Sequence, residues 1–395
     1  MRVLFLTHRL PYAPNRGDRI RAFHLIRALA QHADVDLVSL VHDDEEASHR
    51  HDLDGIVSST SLAPVSRVRN LARALPTLLG GAPLTHVLLH SPEVLAAVRR
   101  LGRSHRPDVV LAYCSGMAKY LFAAELSDVP AVLDMVDVDS AKWSDLAATS
   151  APPRSWVFRR EATRLRAFEA RAAMRATATF VVNERERQTL ATIAPTSRIL
   201  TVPNGIDSES FRPSDEPQRD PIVVFCGVMN YAPNAQGARW MAEQVWPLVL
   251  AEQPGARLLI VGSNPTPEVR RLAQLGVTVT GAVPDVRPYL WSAAVAVAPL
   301  AIARGLQNKV LEALAAGLPV AVTPAVAEGL PEDPLRGCVV ESDAVAFASA
   351  VVDLLRMSPQ GRRAMAARAN VTAMDWASRL APAISVLLEC ARAGR

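Results

Sequence analysis

The chain has 395 residues, of which 50% are hydrophobic and 21% charged, with a formal net charge of +4. Length and composition predict a well-buried globular protein of two or three domains and exclude a disordered one. The charge excess, all of it before residue 180, is too small to argue for nucleic acid; it suits an anionic substrate or a membrane surface.

The first half alternates short apolar runs with helical periods. Strands are predicted over 2–7, 35–41, 108–112, 130–134 and 178–182, and helices over 18–31, 91–102, 115–125, 155–175 and 184–192. The Pro-, Ser- and Asp-rich stretch 203–221 reads as a linker. Alternation then restarts, with strands at 222–226, 257–261, 277–280, 293–298 and 319–323, helices at 234–252, 267–275, 284–292 and 306–316, and further helices beyond 343. Such alternation predicts an α/β protein of two doubly wound, Rossmann-like domains in tandem, facing a central cleft. The expected division is 1–203, 204–372, and a terminal helix, 373–395, packing back on the first domain. In doubly wound sheets ligands bind beyond the carboxyl ends of the strands, so the loops that follow strands are where function is sought.

The four cysteines, Cys114, Cys226, Cys338 and Cys390, are far apart and form no C-x-x-C pair, which argues against zinc and disulfides and fits a reducing cytosol. The opening apolar run, about five residues, is shorter than a signal-peptide core. The longest uncharged stretches fall short of a spanning helix. The expected location is therefore the cytoplasm.

The stretch ARGLQNKVLEALAAGLPVAVT, residues 303–323, is the most informative. At about 100° per residue, Val310 and Leu314 share a dry face with Leu306, while Asn308, Lys309 and Glu312 share a polar one. A helix amino terminus attracts phosphate through unpaired N–H groups and its partial positive charge, and Lys309 adds a formal charge there. Glu312, one turn deeper, can accept hydrogen bonds from a diol such as a ribose. Phosphate at the tip and ribose one turn along is the layout of a nucleotide. The same residues also read as an ordinary exposed helix face with a Lys–Glu pair. Lys309 is one of only three lysines in the chain, a bias that gives weak weight to a specific need for it.

With PNGID at 203–207 and FCGVMNYAPNAQGARWM at 225–241, this stretch resembles retaining glycosyltransferases of the GT-B fold, family 4. ARGLQNKVLEALAAGLPV, GVMNYAPN and DMVDVDS are most similar to bacterial sugar transferases of exopolysaccharide and exosortase (PEP-CTERM) systems. The resemblance implies metal-independent transfer of a sugar from a nucleotide diphosphate donor to a glycan or polyprenyl-linked acceptor, at the inner face of a bacterial membrane. It implies donor contacts at Gly17 and Arg19 in the loop THRLPYAPNRGDRIR, at Gly227, Asn230 and Gly281, and at Gly305, Leu306, Gln307, Asn308 and Glu312. The family carries two glutamates eight positions apart on this element. Glu312 matches the second, but Arg304 stands in place of the first. An arginine cannot accept a hydrogen bond from a sugar hydroxyl; it can bind a diphosphate or a carboxylate on the donor. Arg304 and Lys309 are thus the expected catalytic cations.

Asp134, Asp137 and Asp139 in DMVDVDS look like a metal site, but the two-sheet layout and PNGID point to the metal-independent fold, so no metal is expected. Asp137 either caps a helix or lines the acceptor pocket and handles the acceptor hydroxyl's proton. Arg16 and Arg21 lie near the Gly17 edge. His8, His24 and His86 belong to no motif. Two basic stretches with interleaved apolar residues, 67–79 and 154–175, suit contact with anionic lipid. Two rivals remain: a sugar-nucleotide epimerase on the same fold, for which no set of paired carboxylates and histidines is found, and a non-catalytic nucleotide-binding scaffold, which Arg304 favours.

Overall fold

The computed structural model describes every residue except 13–16, 79, 217–219, 275, 304–305 and 395; of residues 17, 18 and 149 it describes the backbone alone. The chain divides into two compact units, Met1–Gly205 with Ala377–Arg395, and Ile206–Trp376.

The first unit holds a seven-stranded parallel sheet in the order β3-β2-β1-β4-β5-β6-β7. Its strands are β1 Arg2–Thr7, β2 Asp34–Val41, β3 Ser59–Pro64, β4 Val109–Tyr113, β5 Ala131–Val136, β6 Ala178–Val181 and β7 Ile199–Thr201. Runs such as VVLAY and RVLFLT are apolar on both faces because helices cover both. The helices used below are α1 Gly17–Ala30, α2 Arg67–Thr77, α3 Asp139–Thr149 and α4 Arg154–Arg175.

The second unit holds six parallel strands in the order β10-β9-β8-β11-β12-β13. These are β8 Ile222–Cys226, β9 Arg257–Val261, β10 Val277–Gly281, β11 Val295–Ala298, β12 Val320–Val322 and β13 Cys338–Val340. Helix α5, Ala232–Trp240, continues through a wide π turn, Met241–Val245, and on to Glu252. Pro247 lies in the first turn after the π segment; it lacks an N–H, and a widened turn is a place where a helix tolerates that loss. Helix α6 is Asn308–Ala315, and α7, Trp376–Ala393, ends the described chain.

Three expectations change. The 115–125 helix is two tight 3₁₀ turns, Ala118–Phe122 and Ala124–Leu126, separated by Ala123 in extended backbone; Met117, Ala118, Tyr120 and Leu121 are buried and Phe122 is exposed. The 267–275 helix stops at Arg270. The stretch read as a linker starts as structure: Ile206 is buried, bridges to Asp375, donates to the Met374 carbonyl at 2.9 Å and accepts from the Trp376 amide at 3.1 Å.

Arg21 is also not where the sequence reading puts it. It is buried in α1 and grips Asp134 of β5 with two nitrogens, Nε at 2.7 Å and Nη2 at 3.2 Å. Its Nη1 donates to the Val202 carbonyl at 2.8 Å and to Asn204 Oδ1 at 3.1 Å. One guanidinium thereby joins α1, the sheet and the PNGID segment. Burial pushes the Asp134 carboxyl up, against the pull of Arg21. Removing one partner leaves a dry, uncompensated charge. Arg21→Ala is therefore expected to cost roughly 3–5 kcal/mol, read by denaturant unfolding, and the double variant Arg21→Met, Asp134→Leu to recover most of that loss.

Candidate functional site

In the second sheet the chain winds from β8 out to β10, then crosses back to β11 and winds the other way. Ligands bind where strand order reverses, at the exits of β8 and β11. The exit of β8 leads into Gly227 and α5, and the exit of β11 leads into α6.

Three side chains meet there. Lys309, in the first turn of α6, donates to Asn234 Oδ1 at 2.6 Å and stands 4.9 Å from the centroid of the Phe225 ring. Asn234, buried in α5, donates in turn to the Val228 carbonyl at 3.0 Å. Gly227 makes room for both. A Cβ there would lie 2.8 Å from Asn234 Nδ2 and 3.1 Å from Lys309 Nζ. Glu312 follows Lys309 by nearly one turn and is half-buried, while Val310, Leu311, Ala313 and Leu314 fill the core.

The electrostatics follow from this burial. Desolvation lowers the Lys309 ammonium to about 8, although Cys226 and Glu312 pull it upward. Desolvation raises the Glu312 carboxyl to about 7, against the pull of Lys309. The Cys226 thiol, dry and beside that carboxylate, is pushed up to about 12 and stays neutral. A cation and an anion thus sit close together at a strand reversal, both poised near neutral pH. Perturbed groups of this kind concentrate at functional sites. The cation suits a phosphate, and the carboxylate suits a pair of hydroxyl donors.

The loop after β8 is held by β9. Gly227 N–H donates to the Val261 carbonyl at 2.9 Å, and Met229 N–H to the Ser263 carbonyl at 2.8 Å. Gly262 sits between these bonds with φ of +151, and a Cβ on it would lie 1.7 Å from the Gly227 carbonyl oxygen.

The remaining expected residues are spread more widely. Leu306, Gln307 and Asn308 are half-buried around the start of α6. Asn230 is exposed in the loop after β8, and Gly281 ends β10 with φ of +75. Arg304 and Gly305 lie outside the described residues, as does Arg16. Gly17 begins α1. Arg19 is buried, hydrogen-bonded to the Tyr12 hydroxyl and 3.2 Å from Glu46, so its guanidinium is spent inside the first unit. Asp137 pairs with Lys142 at 2.8 Å, and Asp139 accepts from the Ser115 hydroxyl. The three aspartates do not converge; Asp134 faces Arg21, and among the described residues no group of three or more His, Cys, Asp or Glu is placed to hold a metal ion. His86 is buried against Phe168 and held near 4 by desolvation, with Lys119 and Arg171 adding to that effect; His8 stacks on Tyr113 where the first sheet reverses.

Two residues escape the sequence reading. Asn234 carries its signal in YAPN, an amide in the first turn of a helix that leaves a strand exit. Gly262 has only its place after the strand RLLIV to mark it.

Two outcomes test this geometry. Gly262→Ala is expected to break the Met229–Ser263 bond, seen as faster amide exchange at Met229. Glu312 has a folded value above its ordinary 4.5, so stability falls as pH rises from there to about 7 and stays lower above. Glu312→Gln keeps the neutral shape, so its melting temperature should exceed the parent's by a few degrees at pH 8 and match it near pH 4.5.

Comparisons agree with the architecture. Residues 16–205 match the family model described as glycosyl transferase 4-like domain, and residues 220–357 match that described as glycosyl transferases group 1. No curated protein sequence matches. Among solved structures, sucrose-phosphate synthase from Thermosynechococcus elongatus is 19% identical, with all of both chains covered and a TM-score of 0.68. Trehalose 6-phosphate synthase from Burkholderia multivorans is 14% identical, covering 99% of this chain and 97% of its own, with a TM-score of 0.64. HepE from Anabaena, solved with UDP, is 14% identical, covering 98% of this chain and all of its own, with a TM-score of 0.63. At such identities the structural likeness speaks for the fold, and the two sequence matches, one in each unit, speak for the family. The chain belongs to the glycosyltransferases and has the GT-B fold.

Proposed function

We propose that the chain is a retaining glycosyltransferase that moves a sugar from a nucleoside diphosphate sugar to a glycan or polyprenyl-linked acceptor, in bacterial exopolysaccharide synthesis of the PEP-CTERM type. The observation that carries the donor half is the pairing of Lys309 and Glu312 at the strand reversal. Lys309 and the head of α6 meet the diphosphate, and Glu312 accepts from the ribose hydroxyls. HepE, solved with UDP and with UDP-glucose, supports this class of donor, and UDP is the first nucleotide to try.

The demanding step is cleavage of the bond between the anomeric carbon and the diphosphate oxygen, whose electron pair leaves with the phosphate. A cation fixed in a partly dry site stabilises that growing charge better than water does. Arg304, three residues before Gln307 in the sequence, is proposed as the second cation. The acceptor oxygen bonds the anomeric carbon on the face the phosphate leaves, and its proton passes to the departing phosphate. Asp137 in the first unit is proposed beside the acceptor hydroxyl. Its contact with Lys142 would fix the direction of the carboxylate for that hydrogen bond.

Calorimetry against UDP, GDP and ADP, followed by transfer assays with labelled nucleotide sugars and a lipid acceptor extract, tests the proposal. One nucleotide should bind, with Lys309→Ala weakening it roughly ten- to hundredfold, the scale of a charged hydrogen bond. Tight binding with no turnover of any donor would reject transfer in favour of a scaffold. Affinity should peak between about pH 7 and 8. Above that window Lys309 loses its proton, and below it Glu312 gains one. Lys309→Ala should flatten the alkaline limb, and Glu312→Gln the acid limb.

A further inference from the structure

We propose that α2 is a docking face for an anionic lipid bilayer. Its sequence, RVRNLARALPT, carries three arginines and no carboxylate. A surface helix ordinarily turns its apolar stripe to the core. Here Val68, Leu71 and Leu75 are 84%, 63% and 67% exposed, and Asn70 and Ala74 are the buried residues.

The packing explains why the stripe faces out. Asn70 Nδ2 donates to the Leu88 carbonyl at 3.0 Å and the His90 carbonyl at 2.8 Å, which fixes the inward side of the helix. At its carboxyl end, Arg160 of α4 collects the carbonyls of Thr77, Leu78, Gly80 and Ala82. The helix is thus held by polar bonds, and those bonds set its rotation.

With about 100° per residue, the outward half divides in two. Val68, Leu71 and Leu75 occupy one flank, Arg69 and Arg73 the other. Asp43 and Glu93 lie within electrostatic reach of Arg67 and Arg69, and neither forms an ion pair with them among the described residues. An interfacial helix sinks its apolar side among acyl chains and keeps arginines at the headgroups. Charge therefore selects the occupant: an uncharged protein partner would leave the arginines unused, and phosphate headgroups engage them.

The second basic stretch is unsuited. In α4, Arg154, Arg159, Arg164, Arg166 and Arg171 are exposed, but Ala162, Leu165, Phe168 and Ala172 are buried, so this helix turns its apolar stripe to the core in the ordinary way. Its start adds Trp156, 64% exposed and four residues before Arg160. Among the described residues no helix is long and apolar enough to cross a membrane, so contact by this face is peripheral. The inference deepens the proposed lipid-linked acceptor but is independent of the donor site.

The test is co-sedimentation with vesicles of phosphatidylcholine alone or with phosphatidylglycerol, using the whole chain without nucleotide. Binding should require phosphatidylglycerol, weaken with salt, and shift Trp156 emission to the blue. Loss should be roughly five-fold for each of Arg69 and Arg73 changed to Gln. Leu71→Glu with Leu75→Glu should abolish binding while circular dichroism and nucleotide affinity stay unchanged. Equal binding to both vesicle types, no binding to either, or a self-associated dimer that the leucine variant dissolves would each overturn the proposal. Calorimetry on the same samples reads the donor site separately.

Discussion

Lys309 and Glu312 are opposite charges on one short helix, both partly withdrawn from water, and neither is comfortable there. Burial works against each, and each relieves the other only in part. That tension dictates much around it. Phe225 offers the ammonium a ring face, Asn234 offers an oxygen, and the residue at 227 must lack a side chain so that both can approach. The dry face of α6 fixes the helix against β11 and β12, so the two charges have no freedom to swing into solvent. On the proposed reading, a ligand bearing a diphosphate and a diol would satisfy both at once.

Much of this was legible in the sequence because it depends on period and spacing. The stripe of Asn308, Lys309 and Glu312 against Val310 and Leu314 follows from helical geometry alone, as does the strand on either side. Less legible were features made by residues distant in sequence. Arg21 and Asp134 are 113 positions apart, and nothing local marks either as half of a buried pair. Arg19 was expected to contact the donor beside a glycine loop, but Tyr12 and Glu46 engage its guanidinium. The strands β7 and β13 have three residues each, too few for any alternation to show. The helix over 115–125 failed for another reason: its composition suits a helix, but the chain is extended at Ala123 and splits the segment into two short turns.

The two units handle charge differently. In the first, the Arg21–Asp134 pair is fully enclosed and satisfied, with Val202 and Asn204 taking the remaining donors. It ties the end of the first unit to its sheet. In the second, the corresponding edge leaves its pair poised near neutrality. The same parallel architecture thus supports a locked ion pair in one place and, in another, two half-buried charges that act on each other through space.

The bonds from Gly227 to Val261 and from Met229 to Ser263 extend the ladder between β8 and β9 past the point where the strands end. The floor of the site is in effect two further rungs of sheet. Its shape is therefore settled when the chain folds. A ligand that binds such a preformed floor gives up little entropy to organise it, so selectivity there rests on fit to a fixed outline.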